Sequence, residues 1–347
     1  MRALITGGAG FIGSHLAETL VMQGHEVLVL DDLSTGSLDN VAHLDGLRGF
    51  ECVIDSVTND AVVKALVDRV DVVFHLAAAV GVKLVLEEPI HTIHTNVAGT
   101  ETVLRHVSQS GKRVVVASTS EVYGKGQALP FREDADLVLG PSDKTRWGYA
   151  TSKLMDEFLT VGYAKKHGMP GVIVRLFNTV GPRQSNRYGM VIPNFVRRAL
   201  QNEPLVVHGD GSQTRSFTWV GDVVWAILAL INEPRAYGEV FNIGNGTEIS
   251  IRDLAFKVKE MTGSNSEVVF QPYHAVFDEG FEDMPRRVPD ISKLRRCVGF
   301  EPKVHLDGIL DAVIKYWAPP GAVAARATRV QRAPRYPYRH MLAAFDA

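Results

Sequence analysis

The segment TGGAGFIG, Thr6 to Gly13, decides how the chain folds, because it joins a short apolar run to a helical pattern. Ala-Leu-Ile-Thr at 3–6 predicts a buried strand, and the residues from Phe11 onward have helical spacing. Glycines in a G-x-x-G-x-x-G pattern permit a tight turn and let a pyrophosphate approach the backbone at the helix N-terminus. A strand, this turn and a helix in sequence predict a dinucleotide-binding unit.

An acidic residue, Asp31, follows the next apolar run, Glu-Val-Leu-Val-Leu at 26–30. A carboxylate at the tip of the second strand can accept both hydroxyls of an adenosine ribose and would repel a 2′-phosphate, which favours NAD over NADP. The alternative is that Asp31 only caps the turn together with Asp32. Asp55, after the third strand, either reaches the adenine or is an ordinary turn aspartate, and the sequence leaves both interpretations open.

The first half of the chain alternates apolar runs with helical patterns. Runs at 70–76 and 113–118 are apolar at nearly every position, as in strands that a parallel sheet buries on both faces. We therefore predict an α/β protein with a Rossmann-type doubly wound parallel sheet and a smaller mixed α/β lobe for the substrate. Residues 1–175 should form the cofactor domain, to which some later segments return, 176–317 mainly the smaller lobe, and 318–347 a C-terminal extension.

Composition excludes several classes of function. The chain has 37 Lys and Arg against 39 Asp and Glu, a formal net charge of −2, which argues against a nucleic-acid or membrane-surface protein. Cys52 and Cys297 predict neither a disulfide framework nor a metal site and suit a reducing compartment. The run Val223–Ile231 is too short to cross a membrane. We expect a cytoplasmic protein with no metal, no nucleic-acid partner and no membrane association.

A tyrosine and a lysine four residues apart, Tyr149 and Lys153, predict the chemistry. Four residues place both side chains on one face of a helix. An ammonium beside a phenol favours the phenolate, so we expect the pKa of Tyr149 to be lowered from its usual value near 10. Such a tyrosine can act as general base towards a substrate alcohol.

Several motifs in order resemble one family. TGGAGFIGSHL at 6–16, HLAA at 75–78, STSEVYG at 118–124, YATSK at 149–153 and RLFNTVGPR at 175–183 resemble the extended short-chain dehydrogenase/reductases that modify nucleotide sugars. The resemblance covers residue 1 to about Trp317. It implies a tightly held NAD, catalysis by Tyr149 and Lys153 with Thr119 on the sugar O4, and a UDP-sugar bound by the C-terminal lobe with arginines at the diphosphate.

The residues that this resemblance implies fall into three groups. The predicted catalytic residues are Thr119, Ser120, Glu121, Tyr149, Lys153 and Arg287. The predicted cofactor-binding residues are Gly7, Gly10, Phe11, Ile12, Gly13, Asp31, Asp32, Ser34, Thr35, Gly36, Asp55, Ser56, Leu76, Ala77, Ala78, Asn96, Ser118, Tyr149 and Lys153. The predicted substrate-binding residues are Lys83, Asn178, Arg183, Val191, Val207, Arg215 and Arg287.

The turn Thr119-Ser120-Glu121 separates the activities within the family. Family members that dehydrate the sugar carry Thr-Asp-Glu, and a serine is a poor replacement for the acid that assists a leaving group. Epimerases usually carry small residues there, so Glu121 would be an unexplained buried charge. UDP-glucuronate decarboxylases carry Thr-Ser-Glu together with an arginine in an R-x-P-D context, which Arg287 to Asp290 match.

We therefore predict an NAD-dependent UDP-glucuronate decarboxylase that yields UDP-xylose or a UDP-4-keto-pentose. In this interpretation Glu121 pairs with Arg287, and Ser120 hydrogen-bonds the carboxylate or a water that relays a proton. The alternatives are a UDP-glucose or UDP-N-acetylglucosamine 4-epimerase, which Pro193 favours, and an NAD-sensing regulator without chemistry. The family implies a homodimer formed through the helices near 89–109 and 147–167.

Overall fold

The computed structural model describes residues 1–185, 190–272 and 284–319. The strands are β1 (Arg2–Thr6), β2 (Glu26–Asp31), β3 (Phe50–Ile54), β4 (Val72–His75), β5 (Arg113–Thr119), β6 (Gly171–Leu176), β7 (Thr179–Val180), β8 (Leu205–His208), β9 (Thr214–Ser216), β10 (Thr218–Trp219), β11 (Val240–Ile243), β12 (Glu248–Ser250) and β13 (Val268–Gln271). The helices are α1 (Phe11–Met22), α2 (Asp60–Asp68), α3 (Val82–Glu87), α4 (Pro89–Gln109), α5 (Arg146–His167), α6 (Val191–Leu200), α7 (Val220–Ile231), α8 (Ile251–Thr262), α9 (Ser292–Val298) and α10 (Leu306–Trp317).

Seven of the described strands form one parallel sheet in the order β11-β6-β5-β4-β1-β2-β3. The chain runs outward from β1 to β3 and then returns to β4 on the other side of β1. In open α/β sheets, ligands bind outside the carboxyl ends of the strands where the order reverses in this way. The fold therefore places a ligand crevice beside the ends of β1 and β4.

The sheet is buried on both faces because its strands are apolar at successive positions. In β1, Ala3 and Ile5 belong to one hydrophobic cluster with residues of α1 and α7, whereas Leu4 belongs to another with residues of α2 and α4. Burying each such Leu or Ile contributes roughly 1.5–3 kcal/mol. The predicted parallel sheet with helices on both sides is confirmed.

A further hydrophobic cluster is built from α6, α8, α10 and the edge strand β8. Phe195, Leu254 and Ile309 are buried at its centre. Strand β11 comes from the second half of the chain but pairs with β6, so residues 240–243 belong to the main sheet. The domain boundaries at 175 and 317 stay a prediction, and residues 320–347 of the predicted extension lie outside the described residues.

Candidate active site

The glycine-rich loop between β1 and α1 packs tightly against the segment after β4. Gly7 has φ of +71°, and a Cβ there would lie 2.7 Å from the backbone nitrogen of Ala77. A Cβ on Gly13 would lie 2.2 Å from the Gly7 carbonyl oxygen. Gly10 caps α1, whose first-turn N–H groups have no partner within the helix. The sequence thus keeps side chains out of a turn that offers backbone donors to an anion.

The carboxylate of Asp31 closes the other side of this loop. It is buried, and its oxygens accept hydrogen bonds from the N–H groups of Ala9 and Leu33, each at 2.9 Å. Burial raises the pKa of this carboxyl, while the two N–H donors lower it. A Cβ on Gly36 would come within 2.8 Å of Asp31 Oδ1, so glycine is needed for the chain to pass here.

Two of the predicted cofactor residues stabilise turns. Asp32 Oδ1 accepts hydrogen bonds from the N–H and the hydroxyl of Ser34, at 3.0 and 2.6 Å. Asp55 Oδ1 accepts from the N–H of Ser56 at 2.7 Å and from the Asn59 amide at 3.1 Å. These contacts agree with the turn interpretation of Asp55, and they leave its adenine contact a prediction.

Polar contacts also tie the segment after β4 to α5. The Asn96 side chain accepts from the N–H of Ala79 at 2.8 Å and donates to the Ser152 hydroxyl at 3.0 Å. The Ser118 hydroxyl donates to Glu157 at 2.5 Å, so this hydroxyl is directed into the protein. The remaining predicted cofactor residues lie in the first turn of α1 (Phe11, Ile12), in the loop after β2 (Thr35) and after β4 (Leu76, Ala77, Ala78).

This end of the sheet fits a bound NAD. Glycine at Gly7 and Gly13 allows the turn to pack closely, and neither residue places a side chain between the helix N-terminus and a diphosphate. Asp31 ends β2 with a carboxylate suited to ribose hydroxyls. Tyr149 and Lys153 lie together on α5.

The predicted catalytic turn begins where β5 ends. Thr119 is the last residue of the strand, and its hydroxyl oxygen accepts a hydrogen bond from the N–H of Glu121 at 3.2 Å. Ser120 is buried. A short 3₁₀ turn from Ser120 to Tyr123 follows and packs against α5.

Glu121 lies between two arginines from distant parts of the chain. Arg287 Nη1 donates to its Oε1 at 2.8 Å, and Arg146 Nη2 donates to its Oε2 at 3.2 Å. The side chains of Arg146, Glu121 and Arg287 are only 9%, 16% and 10% exposed. The predicted pairing of Glu121 with Arg287 is present, whereas the contact with Arg146 was not foreseen.

The sequence prediction of a lowered pKa for Tyr149 is wrong, because the structure raises this pKa. Burial raises the pKa of this phenol, and the negative charge of Glu121 raises it further, while a hydrogen bond from Thr119 lowers it. The Lys153 ammonium donates to Asp156 Oδ2 at 2.6 Å. The pKa of Tyr149 is therefore raised rather than lowered.

The predicted substrate residues near Arg287 form one connected group. The Asn178 amide donates to the Ser216 carbonyl at 2.9 Å, and the Ser216 hydroxyl donates to the Arg287 carbonyl at 3.4 Å. Arg215, beside Ser216 in β9, donates to the Thr214 carbonyl at 2.7 Å. Residues that are far apart in sequence are thus held together at one edge of the site.

The other predicted substrate residues are more scattered. Arg183 pairs with Glu18 of α1, and Val191 begins α6. The Val207 side chain is completely buried in the cluster of the smaller lobe, so a ligand cannot reach it without a rearrangement. Lys83 belongs to α3, but its side chain lies outside the described residues.

Sequence reasoning missed Asp156, and it noted Arg146 only as part of the Arg146-Trp147 resemblance to decarboxylases without predicting its contact with Glu121. Arg146 is three residues before Tyr149, one helical turn away, and this spacing was the available signal.

Among the described residues, no group of three or more His, Cys, Asp or Glu could hold a metal ion. None of the described helices combines the length and apolarity needed to cross a bilayer.

Comparison with curated proteins finds decarboxylases. The chain is 44% identical to UDP-N-acetyl-alpha-D-glucosaminuronate decarboxylase of Bacillus cytotoxicus, over 91% of this chain and 97% of that protein. It is 39% identical to UDP-glucuronic acid decarboxylase 1 of Xenopus tropicalis, over 91% of this chain and 72% of that protein. These names agree with the predicted activity.

Comparison with solved structures finds the same fold. UDP-glucose 4-epimerase of Thermotoga maritima, crystallised with UDP-glucose, superposes with a TM-score of 0.83 at 30% identity, covering 91% of this chain and 98% of that one. This similarity to an epimerase agrees with the alternative prediction, a 4-epimerase, and not with the predicted decarboxylase. A family model described as the NAD dependent epimerase/dehydratase family matches residues 3–244. The predicted family and its cofactor are thereby confirmed: the chain belongs to the NAD-dependent epimerase/dehydratase family.

Proposed function

We propose that the chain is an NAD-dependent decarboxylase of a UDP-linked hexuronate, with UDP-glucuronate as the substrate predicted from the sequence. The observation that carries the proposal is the position of Glu121, held by Arg287 and Arg146 beside the Tyr149 phenol. A 4-epimerase needs only space in which a keto-sugar can turn over. A carboxylate-bearing sugar, by contrast, needs fixed charged groups at its C5 substituent.

Each residue of the site is assigned a separate role in the reaction. When bound, NAD takes up the hydride that leaves C4 of the sugar. Tyr149 accepts the proton of the O4 hydroxyl when it is ionised; Thr119 favours the ionised form, whereas burial and Glu121 oppose it. The resulting 4-ketone makes the C5 carboxylate part of a β-keto acid.

Loss of carbon dioxide then needs no additional cofactor. The electron pair of the C5–C6 bond passes through C5 to O4, where Tyr149 and Thr119 stabilise the enolate by hydrogen bonds. Glu121 accepts hydrogen bonds from two guanidinium groups, so we assign it to holding Arg287 in place rather than to donating a proton. Ser120 is assigned to the carboxylate or to a water that brings a proton to C5.

The UDP part of the substrate is assigned to the residues after β6. Arg215 and Arg287 come from separate segments and can clamp a diphosphate, because a guanidinium donates two parallel hydrogen bonds to phosphate oxygens. Asn178, Arg183 and Val191 complete the assignment, whereas the buried side chain of Val207 is left out of it. The separate hydrophobic cluster of α6, α8 and α10 supports a smaller lobe within 176–317.

The identity of the hexuronate has a second candidate. The Bacillus cytotoxicus relative is named for UDP-N-acetylglucosaminuronate, which differs from UDP-glucuronate at C2, and its 44% identity favours testing both. A 4-epimerase is the alternative reaction, supported by the similarity to the Thermotoga maritima enzyme. A purely NAD-sensing protein would have no use for Thr119, Tyr149 and Lys153.

The test is a product analysis by mass spectrometry. The purified protein is incubated with NAD and one UDP-sugar at a time: UDP-glucuronate, UDP-N-acetylglucosaminuronate or UDP-glucose. The Tyr149→Phe variant is the inactive control. Loss of carbon dioxide from a hexuronate supports the proposal. A pentose at the alcohol level means that hydride is returned, whereas a keto-pentose with NADH means that it is not. Unchanged mass with interconversion at C4 would establish the epimerase instead.

We also propose a homodimer formed through α4 and α5, which pack side by side. Ile90 and Ile93 of α4 and Met155 and Phe158 of α5 are exposed apolar side chains, with Ile90 84% and Phe158 65% exposed. Such exposed apolar side chains on two adjacent helices suit an interface.

A cytoplasmic location is proposed as well, supported by the two free cysteines.

A further inference from the structure

A completely buried ion pair lies on α5, next to the candidate catalytic tyrosine. The Lys153 ammonium donates to Oδ2 of Asp156 at 2.6 Å, and the two side chains are 3% and 0% exposed. Removing both charges from water is costly, and such pairs are often no more stabilising than apolar residues of the same size. Fold stability is therefore a weak explanation for Asp156, which suggests a role towards Lys153.

Asp156 is the end of a buried chain of polar groups that starts at the glycine-rich loop. Thr6, the residue before Gly7, has its hydroxyl 2.8 Å from His75 Nδ1. His75 Nε2 lies 2.9 Å from the Thr100 hydroxyl. The Thr100 hydroxyl in turn acts on the Asp156 carboxyl, lowering a pKa that burial raises, and the second carboxylate oxygen of Asp156, Oδ1, is buried without a hydrogen-bond partner among the described residues. All four side chains are buried.

The hydrogen atoms along this chain can be assigned from its two ends. Burial and the charge of Lys153 lower the pKa of His75 to about 3, so the imidazole is neutral and carries one N–H. The Thr6 hydroxyl can donate to His75 Nδ1 while its oxygen accepts from the Ala77 N–H at 3.3 Å. His75 Nε2–H then donates to Thr100, whose hydrogen is left for Asp156.

We propose that Asp156 is a positioning residue that fixes the direction of the Lys153 ammonium, and that Thr100 and His75 hold Asp156 in place for this purpose. The role rests on the proposed function, because it concerns the same tyrosine and lysine. Hydrogen bonds couple the start of the glycine-rich loop, β4 and α4, and the Thr100 hydroxyl extends this chain to Asp156 of the catalytic helix. Each member would lose a partner if its neighbour moved.

The charge of Asp156 also acts on Tyr149. The groups that act on the phenol are Glu121 and Asp156, which raise its pKa, and Arg287 and Thr119, which lower it. Burial raises the pKa of Asp156 itself and Glu157 raises it further, whereas Lys153 lowers it, and Arg175 pairs with that glutamate. His75 is neutral and adds no charge. Removing the Asp156 charge should therefore lower the pKa of Tyr149.

The first test measures this effect without substrate. Ultraviolet difference spectra of the NAD-bound protein are recorded against pH for the parent chain and for Asp156→Asn, each compared with its Tyr149→Phe version to isolate the Tyr149 phenolate. We expect the phenolate to form at lower pH in D156N. In the decarboxylation assay, at a pH where Tyr149 is ionised in both proteins, we expect kcat to fall by about tenfold or more because the Lys153 ammonium is no longer held in its direction, while KM stays within about threefold. A folded D156N with unchanged spectra and unchanged kcat would overturn the proposal.

A second pair of variants decides the matter if D156N does not fold. Thr100→Val removes the hydroxyl that holds Asp156, and Thr100→Ser retains it, with no change of charge in either. We expect T100V to lose kcat severalfold against T100S at equal KM and equal NAD affinity. Equal kcat in the two variants would contradict the proposal. Because the spectra need no turnover, failure of the proposed decarboxylase activity would be seen separately, as an absence of carbon dioxide loss in the parent chain.

Discussion

Arg287 Nη1 donates a hydrogen bond to Glu121 Oε1 at 2.8 Å across a separation of 166 residues. Glu121 follows strand β5 of the main sheet, whereas Arg287 belongs to the segment between β13 and α9. The contact therefore joins the end of the site that carries Tyr149 to the end assigned to the diphosphate. Movement of either segment would change the position of the other at the sugar.

The first prediction concerns this ion pair. Glu121→Gln removes the charge that holds Arg287 and Arg146, and losing one partner of a buried charged pair costs about 2–5 kcal/mol. We expect the decarboxylation kcat/KM to fall at least about 30-fold, measured by carbon dioxide release. Glu233→Gln, which breaks an exposed pair with Arg235, is the matched control and should retain full activity. Activity of E121Q equal to this control would remove Glu121 from the mechanism.

The second prediction concerns pH dependence. The hydrogen bond from Thr119 lowers the pKa of Tyr149, so Thr119→Val should raise it. Because Tyr149 must be ionised to accept a proton, activity is lost as pH falls through that pKa. The acid limb of the kcat profile should therefore move to higher pH in T119V and stay in place in Thr119→Ser, which keeps the hydroxyl. Coincident profiles for the two variants would be the contrary result.

The third prediction concerns the cofactor. Asp31→Asn removes the charge at the end of β2, and hydrogen bonds to charged groups contribute roughly 1.5–3 kcal/mol. Titration calorimetry should show NAD affinity about 10- to 100-fold weaker. Asp39→Asn, in the exposed turn that follows, is the control and should bind NAD as the parent chain does. If D31N binds NAD with parental affinity, the carboxylate does not contact the ribose.

The fourth prediction concerns assembly. Phe158 is 65% exposed on α5, and Phe158→Glu places a charge on the proposed dimer face. Light scattering after size-exclusion chromatography should give a dimer for the parent chain and a monomer for F158E. Phe256→Glu, at a 50% exposed phenylalanine of α8, should leave the dimer intact. A parent chain that is monomeric, or an F158E variant that remains dimeric, would refute this interface.

Local pattern was sufficient for the main sheet and for much of the site. Apolar runs bounded by turns predicted β1, β2, β4 and β5, because a strand buried on both faces must be apolar at successive positions. The glycine-rich turn and Asp31 were predicted because backbone geometry and ribose recognition require those residue types at that spacing. The pair Tyr149 and Lys153 was found because four residues make one helical turn.

Only the tertiary structure decided how the charges of the site are paired. Glu121 meets Arg287 because the segment before α9 returns to the end of β5, and it meets Arg146 because α5 packs against the turn after β5. Lys153 points to Asp156, and burial raises rather than lowers the pKa of Tyr149. The sequence by itself determined the elements and the residue types at the sheet edge, because these follow from local periodicity. Burial and long-range pairing depend on strand order and loop paths, and these decided which groups act on one another.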